Sequence, residues 1–538
     1  SPESRAQSPP VAGTLLRPVR GPETMPVDPR EDKLLQDTAK AQKGGPEKYR
    51  EKLATESKLF VRDRLKLYFP EGLAFEDGLL ANWHKVDELA ADGMVTGAGD
   101  LDGRRVFVIA NDYTVKAGSM AEKGVEKFLR AQERALKTKT PLLYLIDSSG
   151  GRITDQSGFF ANRHGIGRYF YNHSILSGVV PQICVMYGPC VAGAAYTPVF
   201  CDFVFMVRDT GSAMVIASPR MVEMVTGEKI SMGDLGGPDM HARESGSCDV
   251  VVQDEEEAAV MVKKLMSYLP ASCFETPPVY EPAPPARDPA TLMGLIPEDP
   301  NKAFDMHHVI ECLIDEGSWF ELKPDYAPEL ITGLARIDGR VVGIVANNSA
   351  HKAGAIFPES SDKAAHFIWR CDSFNVPLVY LSDTPGFMVG PEMERKSILM
   401  RGRKFIYATS MATVPKFCVV VRKAYGAGIY AMCGPAFEPE ATLALPGAEI
   451  AIMGPEAAIN AVYLNKIMAI PAGPERQAYI EKLRTEYRRD IDVHVMADDQ
   501  VVDHVVPPAQ LRDELAKRLR FFQTKDEVLP GKKHGAIL

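Results

Sequence analysis

The sequence predicts an α/β protein built from two duplicated domains, and three observations carry that prediction. Residues 95–112, VTGAGDLDGRRVFVIAND, return as residues 331–348, ITGLARIDGRVVGIVANN, at a register of 236. In both halves, apolar strand-length runs alternate with amphipathic runs of helical length. Between the halves lies LPASCFETPPVYEPAPPARDPATLMGLIPEDP (269–300), dense in proline and poor in periodicity, which reads as an extended, semi-rigid linker. A period this long marks duplicated domains rather than a solenoid, and 538 residues exceed what one core can organise.

Residues 1–45 are expected to form a disordered extension. Residues 1–24, ahead of Met25, read as a leader without the apolar centre of a secretory signal. Residues 28–66 are charged and mostly helix-forming. The first domain is placed at 46–272, with strands in VFVIAND (106–112), PLLYLID (141–147) and QICVMYG (182–188). A helix over 121–137 puts Ala121, Val125, Phe128, Leu129 and Leu136 on one face. The linker is set at 273–300 and the second domain at 301–538, with strands in VVGIVANN (341–348), PLVYLSD (377–383) and KFCVVV (416–421) and a helix over 361–374. The repeat persists: Lys116-Ala117-Gly118 falls on Lys352-Ala353-Gly354, Asp147 on Asp383, and Gly150 on Gly386. VVPQICVMYG (179–188) then falls on TVPKFCVVVR (413–422), with the register about two residues shorter. Strands buried on both faces and joined by helices predict a parallel sheet, whose ligands gather at the carboxyl ends of the strands.

Composition narrows the function. The net charge is −9 with no basic stripe, which argues against nucleic acid as a partner. The apolar runs are too short for a membrane span. Nine cysteines without a CxxC pair read as reduced, buried thiols of a cytosolic protein. There is no GxxxxGK[ST] loop, no HExxH and no GxSxG. GAGDLDG (97–103) has its last glycine one residue late for a dinucleotide fingerprint and precedes a strand, so a turn is expected there. His164, His173, His241 and His351 lack partners at metal-ligand spacing and are expected to be hydrogen-bonding or surface residues. An enzyme with this sequence is expected to work without a metal, a nucleotide grip or a side-chain nucleophile.

Small residues cluster where strands end: DSSGGR (147–152) and YGPCVAGAAYTP (187–198) in the first copy, DTPGFMVG (383–390) and YGAGIYAMCGP (425–435) in the second. Each follows an apolar strand and precedes a helical run, a geometry that directs free backbone N–H groups at whatever occupies the turn. The chemistry that needs this is stabilisation of a developing oxyanion such as a thioester enolate, where one donor contributes about 2.7–4 kcal/mol. A single turn of this kind is better explained by close packing of backbone. Paired turns at matching places in two copies favour the oxyanion reading.

These stretches, with NDYTVKAGS (111–119), VTGEKISMGDLGGPDMH (225–241), VPKFCVVVRKAYGAG (414–428) and the closing KKHGAIL, fall in an order that resembles one family. Over residues 45–538 the chain resembles the carboxyltransferase (beta) subunit of biotin-dependent acyl-CoA carboxylases, the propionyl-CoA and 3-methylcrotonoyl-CoA type. The resemblance implies two crotonase-like domains. It implies that Ala192 and Gly193 hold the thioester oxygen, and that Ala427 and Gly428 hold the ureido oxygen of biotin, with Gly386 and Phe387 beside it. It places Ser149, Gly150, Gly151 and Arg152 on the CoA side and Ile429 and Tyr430 beside the acyl group. It also implies carboxybiotin on a partner biotin carboxylase/biotin carboxyl carrier (alpha) subunit that consumes ATP and bicarbonate, with the ureido nitrogen as base and no metal in this chain. A homohexamer that joins the first domain of one subunit to the second domain of another follows, in the cytoplasm, or in the mitochondrial matrix of a eukaryote.

The chain departs from the family pattern in three places. It reads SSGGR where SGGAR or SGGAN is usual, Ala192 stands where many members have glycine, and no AMKM biotin-attachment sequence occurs. Tyr430 replaces the aspartate of propionyl- and acetyl-type members. Together with FFANRHGIGRYFYN (159–172), it favours a 3-methylcrotonoyl-like or other bulky acyl-CoA, against which DTPGF (383–387) is closer to the propionyl type and FIYATSMATVPK (405–416) is mixed. Two further readings are a biotin-dependent decarboxylase running the transfer in reverse, and an acyl-CoA-binding scaffold without turnover.

Overall fold

The computed structural model describes residues 28–533 and 535–537. The expected disorder over 1–45 is corrected from residue 28 onward; residues 1–27 lie outside the described residues. Helix α1 (Pro29–Lys43) is capped by Asp28, whose carboxylate accepts from the Arg30 amide. Glu31 and Asp32 sit in its first turn and Lys40 and Lys43 in its last, as the helix dipole favours. Helices α2 (Glu47–Thr55) and α3 (Val61–Tyr68) follow.

The first sheet contains β1 (Phe75–Asp77), β2 (Met94–Leu101), β3 (Arg104–Asn111), β4 (Leu142–Ser148), β5 (Gln182–Val191), β6 (Phe203–Val207), β7 (Ala213–Val215) and β8 (Val250–Val252). Its order is β1-β2-β3-β4-β5-β6-β8, with β7 beside the far end of β5. The β2–β3 hairpin turns at Asp102-Gly103, both at positive φ, so the GAGDLDG motif is the end of a strand and a tight turn. From β3 onward the pairing is parallel. Crossover helix α4 (Glu122–Thr138) buries Val125, Phe128 and Leu129 as its periodicity predicts.

The second copy repeats the first. It contains β9 (Phe320–Leu322), β10 (Leu330–Ile337), β11 (Arg340–Asn347), β12 (Leu378–Thr384), β13 (Lys416–Tyr425), β14 (Ala441–Ala444), β15 (Glu449–Ala451) and β16 (His504–Val505). Their order is β9-β10-β11-β12-β13-β14-β16, with β15 on β13. The linker is less extended than its prolines suggest: Val279 and Pro285 bridge to Arg340 and Asp315, and Leu292–Leu295 forms a helical turn that buries Leu292. One apolar cluster holds Val108, Val185 and Phe205 of the first sheet together with Phe320, Leu334 and Tyr380 of the second. The two copies therefore pack on a common core.

Candidate functional site

The fold brings the small-residue turns of each copy to the carboxyl ends of two neighbouring strands. β4 and β5 pair regularly up to Ile146↔Met186 and resume at Ser148↔Cys190, so β5 carries a two-residue bulge at that point. β12 and β13 do the same, from Ser382↔Val420 to Thr384↔Ala424. The fall in register from 236 to 234 lies earlier, in the connections from β4 to β5 and from β12 to β13, and the bulges are the same size in both copies. They also align the turns: Val191 pairs with Val215 as Tyr425 pairs with Ala451.

Past β5, Ala192 takes φ +59, and past β13 the equivalent Gly426 takes φ +55. The left-handed residue redirects the chain into a short helical turn, Ala192–Ala195 in one copy and Gly428–Ala431 in the other. The equivalence pairs Gly193 with Ala427, one residue off the Gly193–Gly428 match that the glycines suggest. The Gly426 amide is spent on Ala451 O at 2.8 Å. Among the described residues no backbone acceptor takes the amides of Ala192, Gly193, Ala427 or Gly428, as expected at the opening of a helical turn.

Ala192, Gly193 and Ala427 are exposed, whereas Gly428 is buried. A Cβ on Gly193 would meet nothing within 4 Å. One on Gly428 would lie 2.9 Å from Thr384 Cγ2 and 3.0 Å from Gly386 Cα, so Gly428 is where the two turns of the second copy touch.

The other turns are braced from within. Gly150 and Gly386, at φ +97 and +110, donate their amides to Ser148 Oγ and Thr384 Oγ1, both at 3.1 Å. The Ser149 amide goes to Ala117 O, and Gly151 bridges Met120. Phe387 bridges Ile356 and leans on the common core.

Two of the expected site residues have partners within the chain. Arg152 Nη1 lies 3.0 Å from buried Asp92 and Nη2 donates to Ser119 O at 3.0 Å. The Ile429 side chain is buried with Cys418, Val420 and Ala444. Tyr430 is half exposed, with its ring 5.8 Å from Phe437.

The histidines behave as expected. His173 is buried on Gln182 Oε1 at 2.7 Å, and burial pulls its pKa down to about 4. His241 bonds Ser245 Oγ and Met214 O, while His164 and His351 are exposed.

The buried charges behind the turns gave no local sequence signal. Asp147 and Asp383 close β4 and β12, each fully buried. Asp383 is held by Arg422 at 2.9 and 3.1 Å; Asp147 is held by Lys58 at 2.9 Å.

Comparison with known proteins fits this geometry. The carboxyl transferase domain model matches residues 53–537. The chain is 51% identical to an uncharacterized carboxylase, YngE, of Bacillus subtilis, covering 91% of this chain and 96% of that protein. It is 38% identical to the propionyl-CoA carboxylase carboxyltransferase subunit of Haloferax mediterranei, covering 95% and 100% respectively. Among solved structures it resembles the transcarboxylase 12S hexamer with methylmalonyl-coenzyme A bound, at a TM-score of 0.89 and 36% identity, over 96% of this chain and 99% of that one.

Proposed function

Because this chain belongs to the carboxyl transferase domain family and is a biotin-dependent acyl-CoA carboxyltransferase, we propose that it is the carboxyltransferase subunit of an acyl-CoA carboxylase. The observation that carries the reading is the pair of equivalent turns on one chain, each presenting unpaired amides at a strand end. Ala192 and Gly193 donate to the thioester oxygen as the α-carbon becomes an enolate. The open space beside Gly193 leaves that approach clear. Ala427 and Gly428 suit the ureido oxygen of biotin, because small residues at Gly386, Gly426 and Gly428 keep Cβ atoms out of that cradle. Biotin, carried by a partner subunit, supplies the carboxyl group and the base when bound. The chain's own part is to bind, orient and stabilise negative charge through fixed amides.

Exposed apolar residues rim both copies at this end: Ile153, Phe160, Ile216 and Val225 in the first, Val389, Leu399, Ile452 and Val462 in the second. Patches of this kind favour burial against another subunit, consistent with two copies facing each other in a hexamer. Tyr430 stands half exposed just past the second turn, and we read it as bounding the acyl chain in favour of a bulky acyl-CoA over propionyl- or acetyl-CoA.

The test is co-purification with the biotinylated partner followed by 14C-bicarbonate incorporation across acetyl-, propionyl-, methylcrotonoyl-, geranyl- and long-chain acyl-CoAs. Incorporation with none of them overturns the reading. Tyr430→Asp is expected to move the ranking toward short saturated acyl groups; an unchanged ranking removes Tyr430 from specificity.

A further inference from the structure

Asp147 and Asp383 occupy equivalent positions, yet their counter-charges come from different parts of the chain. Arg422, in the middle of the β13 bulge, turns back on Asp383. In the β5 bulge the equivalent residue is Gly188, which offers no cation. Lys58 fills that role from the segment between α2 and α3, with its Nζ 2.9 Å from Asp147 Oδ1 and its side chain 1% exposed. Glycine is required at 188: a Cβ there would collide with Asp147 Oδ1 and stand 2.7 Å from Lys58 Nζ.

The same segment is pinned around the bulge. Glu255 accepts from the Leu59 amide at 2.9 Å and from Arg64 at 2.6 and 2.8 Å. The Arg64 guanidinium lies over the ring of Tyr187, the residue before Gly188, at 3.9 Å. Lys58, Arg64, Asp147 and Glu255 thus form a buried, charge-balanced group under the strand that ends in the first oxyanion turn.

Resting on the function proposed above, we propose that Lys58 is a positioning residue for the acyl-CoA half of the reaction: through Asp147 it fixes the β5 bulge and so aims the Ala192 and Gly193 amides. Arg422 serves the Ala427 and Gly428 amides from within its own strand. The N-terminal segment is then part of the active site, although it contributes no group that touches substrate.

The test uses the full chain with its biotinylated partner. Lys58→Met is expected to lower kcat by roughly 10²-fold while KM for acyl-CoA moves little, because misaligned amides act on the transition state. Hydrogen exchange is expected to quicken across 184–193 and to stay unchanged across 418–428. Lys58→Arg is expected to restore both readouts. If Lys58→Met does not fold, Lys58→Met with Asp147→Asn removes both charges, and the same loss of kcat is expected. Unchanged kcat in either variant overturns the proposal, as does exchange that quickens equally in both copies. Absence of carboxyl transfer in the unaltered protein overturns the functional reading, while the exchange data still decide the tie between Lys58 and the bulge.

Discussion

Ala192 sits at φ +59, a conformation that costs an L-residue about 1–2 kcal/mol and glycine almost nothing. Its side chain is exposed, so little packing offsets that cost. Ala192→Gly is therefore expected to raise stability by about 1 kcal/mol in urea unfolding, with carboxyl transfer retained because the amide is unchanged; a loss of stability refutes the strain. The two oxyanion glycines should respond differently to valine. At Gly193 the added atoms enter open space, so Gly193→Val is expected to fold normally and to lose acyl-CoA turnover. At Gly428 they press on Thr384 and Gly386, so Gly428→Val is expected to lose both thermal stability and carboxyl transfer. Equal melting temperatures for the two variants would contradict the packing described. These contrasts were hidden in the sequence, where both turns read simply as small residues after a strand. The burial of Ile429 is illegible for a related reason: one apolar residue beside a turn does not reveal whether it faces a ligand or the core. The tie from Arg152 to Asp92 is illegible because the two lie sixty residues apart.

The paired bulges in β5 and β13 govern the site at the scale of elements. The duplication, the parallel strands and the helix at 122–138 were legible because apolar periodicity and a constant register encode them directly. The bulges were not visible, because they are the same size in both copies and the register stays at 234 across them; matching Gly193 with Gly428, glycine to glycine, leaves the equivalence of the turns one residue out. Lys58 gave no local signal at all. What could have found it is a mismatch within the repeat: Gly188 stands where the second copy has Arg422, while both copies keep the aspartate. The structure turns this mismatch into an expectation about β13. Arg422→Met leaves Asp383 buried without its bidentate partner, and breaking such a pair costs about 3–5 kcal/mol. Lys423, 3.8 Å away and donating to Pro300 O, is then the cation left beside it. Urea unfolding of that variant is expected to shift by this amount, and a change under about 1 kcal/mol would show that the pair contributes little.

The copies are joined through charge as well as through the common core. Asp249 of the first copy, fully buried, receives Arg370 at 2.7 and 3.2 Å and Lys323 at 3.1 Å from the second. Burial alone would raise its pKa, but Arg370 and Lys323 outweigh burial and hold it well below the usual carboxylate range. A depressed carboxylate contributes fully above its unfolded value of about 3.9, and the contribution is lost as pH falls below that toward the folded value. At the alkaline end, His307 lies between Glu321 at 2.9 Å and Asp305 at 2.6 Å. The hydrogen bond to Glu321 leads in raising its pKa to about 9, against an opposing burial effect. That contribution is whole below about 6.5 and disappears as pH rises through about 9. Urea unfolding across pH 2–10 should therefore show an acid limb from Asp249 and an alkaline limb from His307. Asp249→Asn is expected to flatten the acid limb and, by leaving Arg370 and Lys323 buried without a counter-ion, to lower stability at pH 7 by about 3–5 kcal/mol. His307→Gln is expected to flatten only the limb between about 6.5 and 9. An acid limb that survives Asp249→Asn would place the acid-sensitive contact elsewhere than the junction of the two copies.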